Sequence, residues 1–450
     1  LTAHITTGRD KDSESDLEDR ELIFSILYDC CENKAFSNLS LGASGADDFV
    51  RAAVYGTLTY VYSEDYVIAR VSGRDVTSLD PKVRTILRFG IWQIIYSDKV
   101  PDYAAVNTSV DLASKHAPRA KGLVNAVLRR AAALTTEERD LSSNKSVEAA
   151  FSLKPEIYGV IKKSYGADRA PAIARALLSP SPLSIRVNTI KTSVSELEDE
   201  LTAEGFEVSK ASFMDDALIL KPTSASPSIE KSKAFIEGKF MVQGEAAQLA
   251  SVVAQPKPGM KVLDCCAAPG GKSTHLAALA ENNADILALD INSSRTELIK
   301  QNAARMGATL RTGVADSSSY DEEDGFDLIL CDAPCSGLGI MGGKPDIRLT
   351  ITYDRIVEIT SKQKQILDNV SNLVKPGGVL VYSTCTINRG ENEDQVMSFL
   401  ESHSEFELDD FDNVLPDRLQ SSGVKGMLTL LPDTDGCEGF FISRMRRKNG

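Results

Sequence analysis

Apolar residues in the first third of the chain recur at three- and four-residue spacing. Val83, Ile86, Leu87, Ile91, Ile94 and Ile95 form one stripe, and 106–112 and 123–128 carry others. Asp80-Pro81 opens the first stripe, with proline at the first helical position. The pattern predicts an all-α bundle over 21–140, with Trp92, the only tryptophan, in its core. Residues 136–150 read as a linker or a short exposed helix. Over 150–240 the periods mix: strands at 184–188 and 217–220 flank a helix at 194–204 with Ser193 as its cap, a small α+β module. Over 241–450 strands at 261–264, 286–290, 326–331 and 379–383 alternate with helices at 273–280, 294–306 and 355–374. A strand at 440–444 is expected to return as an antiparallel edge. Such alternation predicts an α/β domain with a doubly wound, mostly parallel sheet.

Composition narrows the class. The chain has 450 residues, 42% hydrophobic and 25% charged, which suits a multidomain globular protein. No apolar run reaches the roughly 18 residues of a membrane span, and no basic-then-apolar leader opens the chain. Segment 1–20 is polar and acidic and is predicted to be a disordered tail. Eight cysteines, including the adjacent pairs Cys30-Cys31 and Cys265-Cys266, do not make a disulfide scaffold; a reducing, cytoplasmic setting is expected. With no CxxC pair and only four histidines, no metal site is predicted. The net charge of −14 argues against generic nucleic-acid binding but leaves room for local basic patches. One such stretch holds Lys115, Arg119, Lys121, Arg129 and Arg130; another holds Arg444, Arg446, Arg447 and Lys448.

Candidate chemistry gathers after the predicted strands, where open parallel sheets place their sites. Cys266-Ala267-Ala268-Pro269-Gly270-Gly271-Lys272 follows one strand and opens a helix, so its glycines permit close backbone approach and its first amides offer donors. Cys266 stands where a Walker A loop needs glycine, and GxGxxG is absent, so neither phosphate-loop pattern applies. The next strand ends at Asp290, a carboxylate suited to ribose hydroxyls. Asp316, after the following strand, is placed either to reach an adenine amino group or to cap Ser317-Ser318-Ser319. Asp332-Ala333-Pro334-Cys335-Ser336-Gly337 and Ser383-Thr384-Cys385-Thr386 follow two more strands. Two thiols beside a cofactor loop suit nucleophilic activation of a pyrimidine ring followed by methyl transfer. A thiolate adding at carbon 6 makes carbon 5 nucleophilic, and Asp332 is the candidate acid at ring nitrogen 3. These residues do not say which cysteine attacks.

In order and spacing these three loops resemble those of the RNA cytosine-5 methyltransferases. Arg186-Val187-Asn188, Gln243-Gly244-Glu245-Ala246-Ala247-Gln248, Pro345-Asp346-Ile347-Arg348 and Asp435-Gly436-Cys437-Glu438-Gly439-Phe440-Phe441 add to the match. Phe49-Val50-Arg51 and Lys121-Gly122-Leu123-Val124-Asn125-Ala126-Val127-Leu128-Arg129-Arg130 resemble the NusB-type RNA-binding fold. Together, over about 20–445, the chain is similar to small-subunit ribosomal RNA methyltransferases of the Sun/RsmB type. Gly244 departs from the acidic residue usual there, and Cys437 interrupts a simpler glycine-phenylalanine segment.

The resemblance implies a Rossmann-like catalytic domain and S-adenosyl-L-methionine as cofactor. Its binding would fall to Cys266, Ala267, Ala268, Pro269, Gly270, Gly271, Lys272, Asp290, Asp316 and Asp332. It makes Cys385 the nucleophile and Cys335 the residue that releases the adduct, with Asp332 and Lys272 assisting. It suggests RNA contacts at Arg186, Asn188, Arg348, Lys121, Arg129 and Arg130. The expected activity is methylation of carbon 5 of a cytosine in small-subunit ribosomal RNA by a monomer. Transfer RNA is the alternative substrate. A non-catalytic RNA-binding assembly factor is the alternative class, against which both cysteines count.

Overall fold

The computed structural model describes residues 9–44, 46, 48–420 and 424–449. The chain forms two compact units, Leu1–Ser179 with Met341–Thr352, and Pro180–Ile340 with Tyr353–Gly450. Of the acidic segment expected to be disordered, 1–8 lies outside the described residues. From Arg9 the chain is already helical, in a helix running Arg9–Asn33.

The first unit is all helical. Asp48–Thr59, Val61–Ser72, Pro81–Ile95, Asp102–His116 and Lys121–Ala132 pack with the first helix around Ile23, Leu27, Val54, Leu58, Ile86, Leu87, Ile91 and Leu128. Asp80 accepts from Lys82 N at 2.9 Å ahead of Pro81, as its position predicted. Trp92 is buried, and a side chain at Gly56 would run into its indole.

The segment Met341–Thr352, expected inside the α/β domain, belongs to this helical unit. Arg348 is 1% exposed and donates to the carbonyls of Phe151, Ser152 and Leu177 at 3.3, 2.9 and 2.5 Å. Tyr62 Oη donates to the Arg348 carbonyl at 2.9 Å, and Ser37 Oγ to Asp346 at 2.5 Å. Arg348 was expected to touch RNA. Its two terminal nitrogens instead donate to main-chain acceptors, while its buried Nε has no hydrogen-bond partner among the described residues.

The second unit contains two sheets. The small one comprises β1 (Ser184–Val187), β2 (Glu207–Lys210), β3 (Ala217–Lys221) and β4 (Phe240–Val242), antiparallel in the order β2-β3-β1-β4, with the helix Val194–Ala203 packed on it. Strands β2 and β4 escape sequence reading because β2 is polar and largely exposed and β4 has three residues. Arg186 and Asn188 were also expected to reach RNA, and both are buried. Asn188 Nδ2 donates to the carbonyls of Gly238 and Met306, each at 2.7 Å. Arg186 donates to Gln243 Oε1 and Thr274 Oγ1, each at 2.9 Å, and to the Gly271 carbonyl at 3.3 Å.

The large sheet comprises β5 (Lys261–Asp264), β6 (Asp285–Asp290), β7 (Arg311–Val314), β8 (Phe326–Asp332), β9 (Val374–Thr384), β10 (Phe406–Leu408), β11 (Met427–Leu430) and β12 (Phe440–Arg447). Its order is β10-β12-β9-β8-β5-β6-β7, parallel from β9 to β7, with β11 also pairing β12. β12 runs antiparallel to β9, as expected, but it is not an edge strand, because β10 and β11 both pair with it. These two are too short to display a period of their own. The chain order reverses between β5 and β8, so their carboxyl ends open the crevice where such sheets bind ligands.

Candidate active site

The loop after β5 is held from several sides. Ala267 N donates to the Leu289 carbonyl at 2.8 Å, Asn302 Nδ2 to Pro269 O at 2.9 Å, and Arg295 to Ala268 O at 3.2 Å. Gly270 has φ +99°, a left-handed conformation that disfavours any side chain, and it starts the helix Gly271–Leu279. Beneath that first turn Arg186 braces the Gly271 carbonyl, a supporting role in place of the RNA contact expected of it.

Carboxylates ring the loop. Asp290 ends β6, is 4% exposed and accepts from Asn292 N at 3.0 Å. Asp264 ends β5, is fully buried and accepts from Ser273 Oγ at 2.6 Å; its Oδ1 has no hydrogen-bond partner among the described residues. Burial pushes its carboxyl up to about 7, with Asp332 adding to the shift. Asp316 accepts from Ser318 N at 2.9 Å and from Lys362 Nζ at 3.0 Å, so its oxygens serve the turn it caps. An orphaned buried carboxylate oxygen, a left-handed glycine turn and Asp290 fit a cofactor carrying hydroxyls, an ammonium group and a sulfonium. Cys265, Cys266 and Cys331 influence one another's titration, which lowers Cys266 to about 5 while both neighbours are raised.

The two catalytic candidates meet. Cys335 Sγ lies 3.0 Å from Cys385 Sγ, although the residues are fifty positions apart. The Cys335 thiol is pushed well above its ordinary range, first by its hydrogen bond to Cys385 and then by burial. Lys272 Nζ donates to Asp332 Oδ2 at 2.6 Å and sits 5.3 Å from the ring centre of Phe440. Burial disfavours the Lys272 charge, but Asp332, and behind it Cys385, raise the ammonium above its usual range. Ser383 Oγ donates to Asp332 Oδ1 at 2.8 Å, and Gly339 N donates to the Cys385 carbonyl at 3.1 Å. The structure therefore brings Cys385, Cys335, Asp332 and Lys272 together at one sheet edge.

Residues that the sequence did not single out complete the frame. Glu391, Gln363 and Asn392 are fully buried behind the two cysteine loops. Nothing in the polar run Asn388-Arg389-Gly390-Glu391-Asn392 distinguishes a buried carboxylate from an exposed one. Gly244 lies against the Glu438 carboxylate, which occupies the space a side chain at 244 would need. An acidic group is thus present beside that position, supplied by residue 438.

The protein-family model described as 16S rRNA methyltransferase RsmB/F matches residues 251–446. A NusB family model matches 17–133, and a ferredoxin-like domain of RsmF/B-like methyltransferases matches 157–225. A probable ribosomal RNA small subunit methyltransferase B of Bacillus subtilis is 33% identical over 95% of this chain and 98% of its own. A protein of the same description from Synechocystis is 30% identical over 95% of this chain and 99% of its own. Among solved structures, PH0851 superposes with a TM-score of 0.80 at 27% identity, covering 95% of this chain and 98% of its own. The chain belongs to the RsmB/F family of 16S rRNA methyltransferases, which use S-adenosylmethionine, and it carries that family's NusB domain and ferredoxin-like module.

Proposed function

We propose that this protein methylates carbon 5 of a cytosine in small-subunit ribosomal RNA through a covalent bond between Cys385 and the ring. The observation that carries the reading is the 3.0 Å approach of Cys335 and Cys385 beside the Lys272–Asp332 pair. S-adenosylmethionine, when bound, supplies an electrophilic methyl group. Everything else falls to the chain's own side chains. Cys385, in hydrogen-bond contact with Cys335 and within the field of the Lys272 charge, is taken as the nucleophile, since a nearby cation favours the thiolate form of a cysteine. Its sulfur bonds to carbon 6 while ring nitrogen 3 takes a proton that Lys272 passes through Asp332 along their hydrogen bond, leaving the lysine as the neutral amine. Carbon 5 thereby becomes nucleophilic.

Release follows from the same pair. Once the Cys385 sulfur is a thioether, the charge and acceptor that held the Cys335 proton are gone. Cys335 then gives up its proton to solvent more easily and its thiolate removes the carbon 5 proton. The bond between sulfur and carbon 6 breaks, nitrogen 3 returns its proton through Asp332 to Lys272, and Cys385 leaves as thiolate.

A ring-carbon target, as opposed to an exocyclic amine, is supported by the loop Asp332-Ala333-Pro334-Cys335, which carries a thiol where amine methyltransferases favour an aromatic ring that stacks the base. The target must be unstacked or single-stranded to reach these residues. We place the enzyme in the cytoplasm, since eight free cysteines suit a reducing compartment, and we take it to act as a monomer.

The test is transfer of labelled methyl to deproteinised small-subunit RNA, to small-subunit particles and to transfer RNA, with Cys385→Ala and Cys335→Ala in parallel. Label at carbon 5 of a ribosomal cytosine, absent in Cys385→Ala, is expected, with a stalled protein–RNA adduct in Cys335→Ala. Label confined to transfer RNA would overturn the substrate. Full activity in Cys385→Ala would overturn the mechanism.

A further inference from the structure

One buried carboxylate holds the residue that follows each cysteine. Glu391 lies in the turn after β9 and is 0% exposed. Its Oε1 accepts from the backbone N–H of Ser336, next to Cys335, at 2.8 Å and from Gln363 Nε2 at 3.2 Å. Its Oε2 accepts from Ser336 Oγ at 2.6 Å, Asn388 Nδ2 at 3.0 Å and Thr386 Oγ1 at 3.3 Å. Thr386 follows Cys385, and its hydroxyl also lies 2.7 Å from Ser336 Oγ. With one proton on each hydroxyl, the short Ser336–Glu391 contact makes Ser336 the donor to the carboxylate, and Thr386 shares its proton between Ser336 Oγ and Glu391 Oε2.

Neighbouring groups extend the frame. Gln363 Nε2 also donates to the Pro334 carbonyl at 2.9 Å, one residue before Cys335. Asn392 brackets Cys385: Thr384 Oγ1 donates to Asn392 Oδ1 at 2.6 Å, and Asn392 Nδ2 donates to the Thr386 carbonyl at 2.9 Å. Tyr382 Oη donates to the main-chain carbonyl of Glu391 at 2.8 Å and fixes the turn that carries it.

We infer that Glu391 is a positioning residue that sets the spacing of Cys335 and Cys385. The inference rests on the reading of those two cysteines as the reacting pair, and it adds the group that holds them. Five donors converge on Glu391 inside the protein, so any replacement leaves buried donors unmatched. Glu391 touches neither sulfur in a hydrogen bond; it acts through Ser336 and Thr386. Displacement of either loop by about 1 Å is enough to cost roughly 100-fold in rate. Glu391→Gln keeps the shape and one oxygen but turns an amide toward hydroxyl and amide donors. Glu391→Asp keeps the charge and the acceptors while shortening the reach.

The experiment uses the full chain with S-adenosylmethionine and small-subunit RNA in which 5-fluorocytosine replaces cytosine. The fluorine cannot leave as a proton does, so an adduct accumulates and is counted in a single turnover. In parallel, diamide oxidises the resting enzyme and peptide mass mapping measures the Cys335–Cys385 disulfide. Glu391→Ala and Glu391→Gln are expected to form adduct about 100-fold more slowly with unchanged cofactor KM, and to cross-link more slowly. Glu391→Asp is expected to recover part of both rates. Should Glu391→Ala fail to fold, the Gln and Asp variants carry the comparison. Wild-type rates of adduct and disulfide formation in Glu391→Gln would overturn the inference. If wild type forms no adduct, yet diamide cross-linking still depends on Glu391, the covalent mechanism fails and the positioning role stands.

Discussion

Lys272 Nζ and Asp332 Oδ2 lie 2.6 Å apart, joining the glycine-rich loop after β5 to the cysteine loop after β8. The pair is largely shielded, with 13% of the lysine side chain exposed. It ties cofactor loop to chemistry, and its cation is also felt at Cys385. Lys272→Met is therefore expected to lower methyl transfer by about 100- to 1000-fold, the usual cost of removing one preorganised charge from a site. Alkylation of Cys385, followed against pH by peptide mass mapping, should shift to higher pH in the variant. An unmoved alkylation profile would show that Lys272 does not serve as counter-charge to the thiolate.

Two buried groups in this domain make stability depend on pH with opposite signs. Burial raises Asp264 to about 7, above its value in an unfolded chain. The folded state thus holds that proton longer, and the associated stability is full below about pH 4 and lost as pH rises through about 7. His275 is fully buried 3.7 Å from Asp216, and burial lowers it to about 4. Its contribution is full above the unfolded value near 6.5 and is lost as pH falls through about 4. Between roughly pH 4 and 6.5 the two slopes oppose each other. Asp264→Asn should match wild type near pH 4 and gain on the order of 4 kcal/mol by pH 8. Thermal melts of the cofactor-free protein at both pH values measure this; an equal difference at both would remove Asp264 as the source.

The buried arginines predict a stability effect in place of an RNA effect. Arg348→Met strips three main-chain carbonyls of their donors within the helical unit. A loss of about 3 kcal/mol is expected, since each buried acceptor left unmatched costs roughly 1–3 kcal/mol and some will recruit water. Urea titration reads this directly. A variant with unchanged midpoint and weakened RNA binding would reverse the assignment.

Lys121 and Arg129 behave differently, because both are exposed on the helix Lys121–Ala132. If they contact phosphates, Lys121→Ala with Arg129→Ala should weaken RNA binding uniformly and reduce the slope of log affinity against log salt by about 2. Fluorescence anisotropy with small-subunit RNA at several salt concentrations supplies the slope. No change in slope would remove this face from the RNA interface.

Much of this architecture was legible along the chain, and for identifiable reasons. Parallel strands buried on both faces read as apolar runs, so β5, β6, β8 and β9 announce themselves, and their carboxyl ends carry Lys272, Asp290, Cys335 and Cys385. The N-cap at Asp80 and the stripe from Val83 to Ile95 are local signals of the same kind. Short or polar strands such as β2 and β10 carry no period and went unread, which also misplaced β12 at an edge.

Element types, the order of the strand-end loops and the residue types available for chemistry are written along the chain, because these follow from periodicities and caps within a few neighbours. Which charged side chains lose their water is settled by the packed fold alone. Arg186, Asn188 and Arg348 look like surface contacts in a line of text, yet each finds its acceptors on segments far away in the chain. Glu391 likewise becomes a positioning group only when five donors from three segments converge on it. Desolvation and hydrogen-bond satisfaction are set by every element packed around a group, and that information is absent from its sequence neighbours.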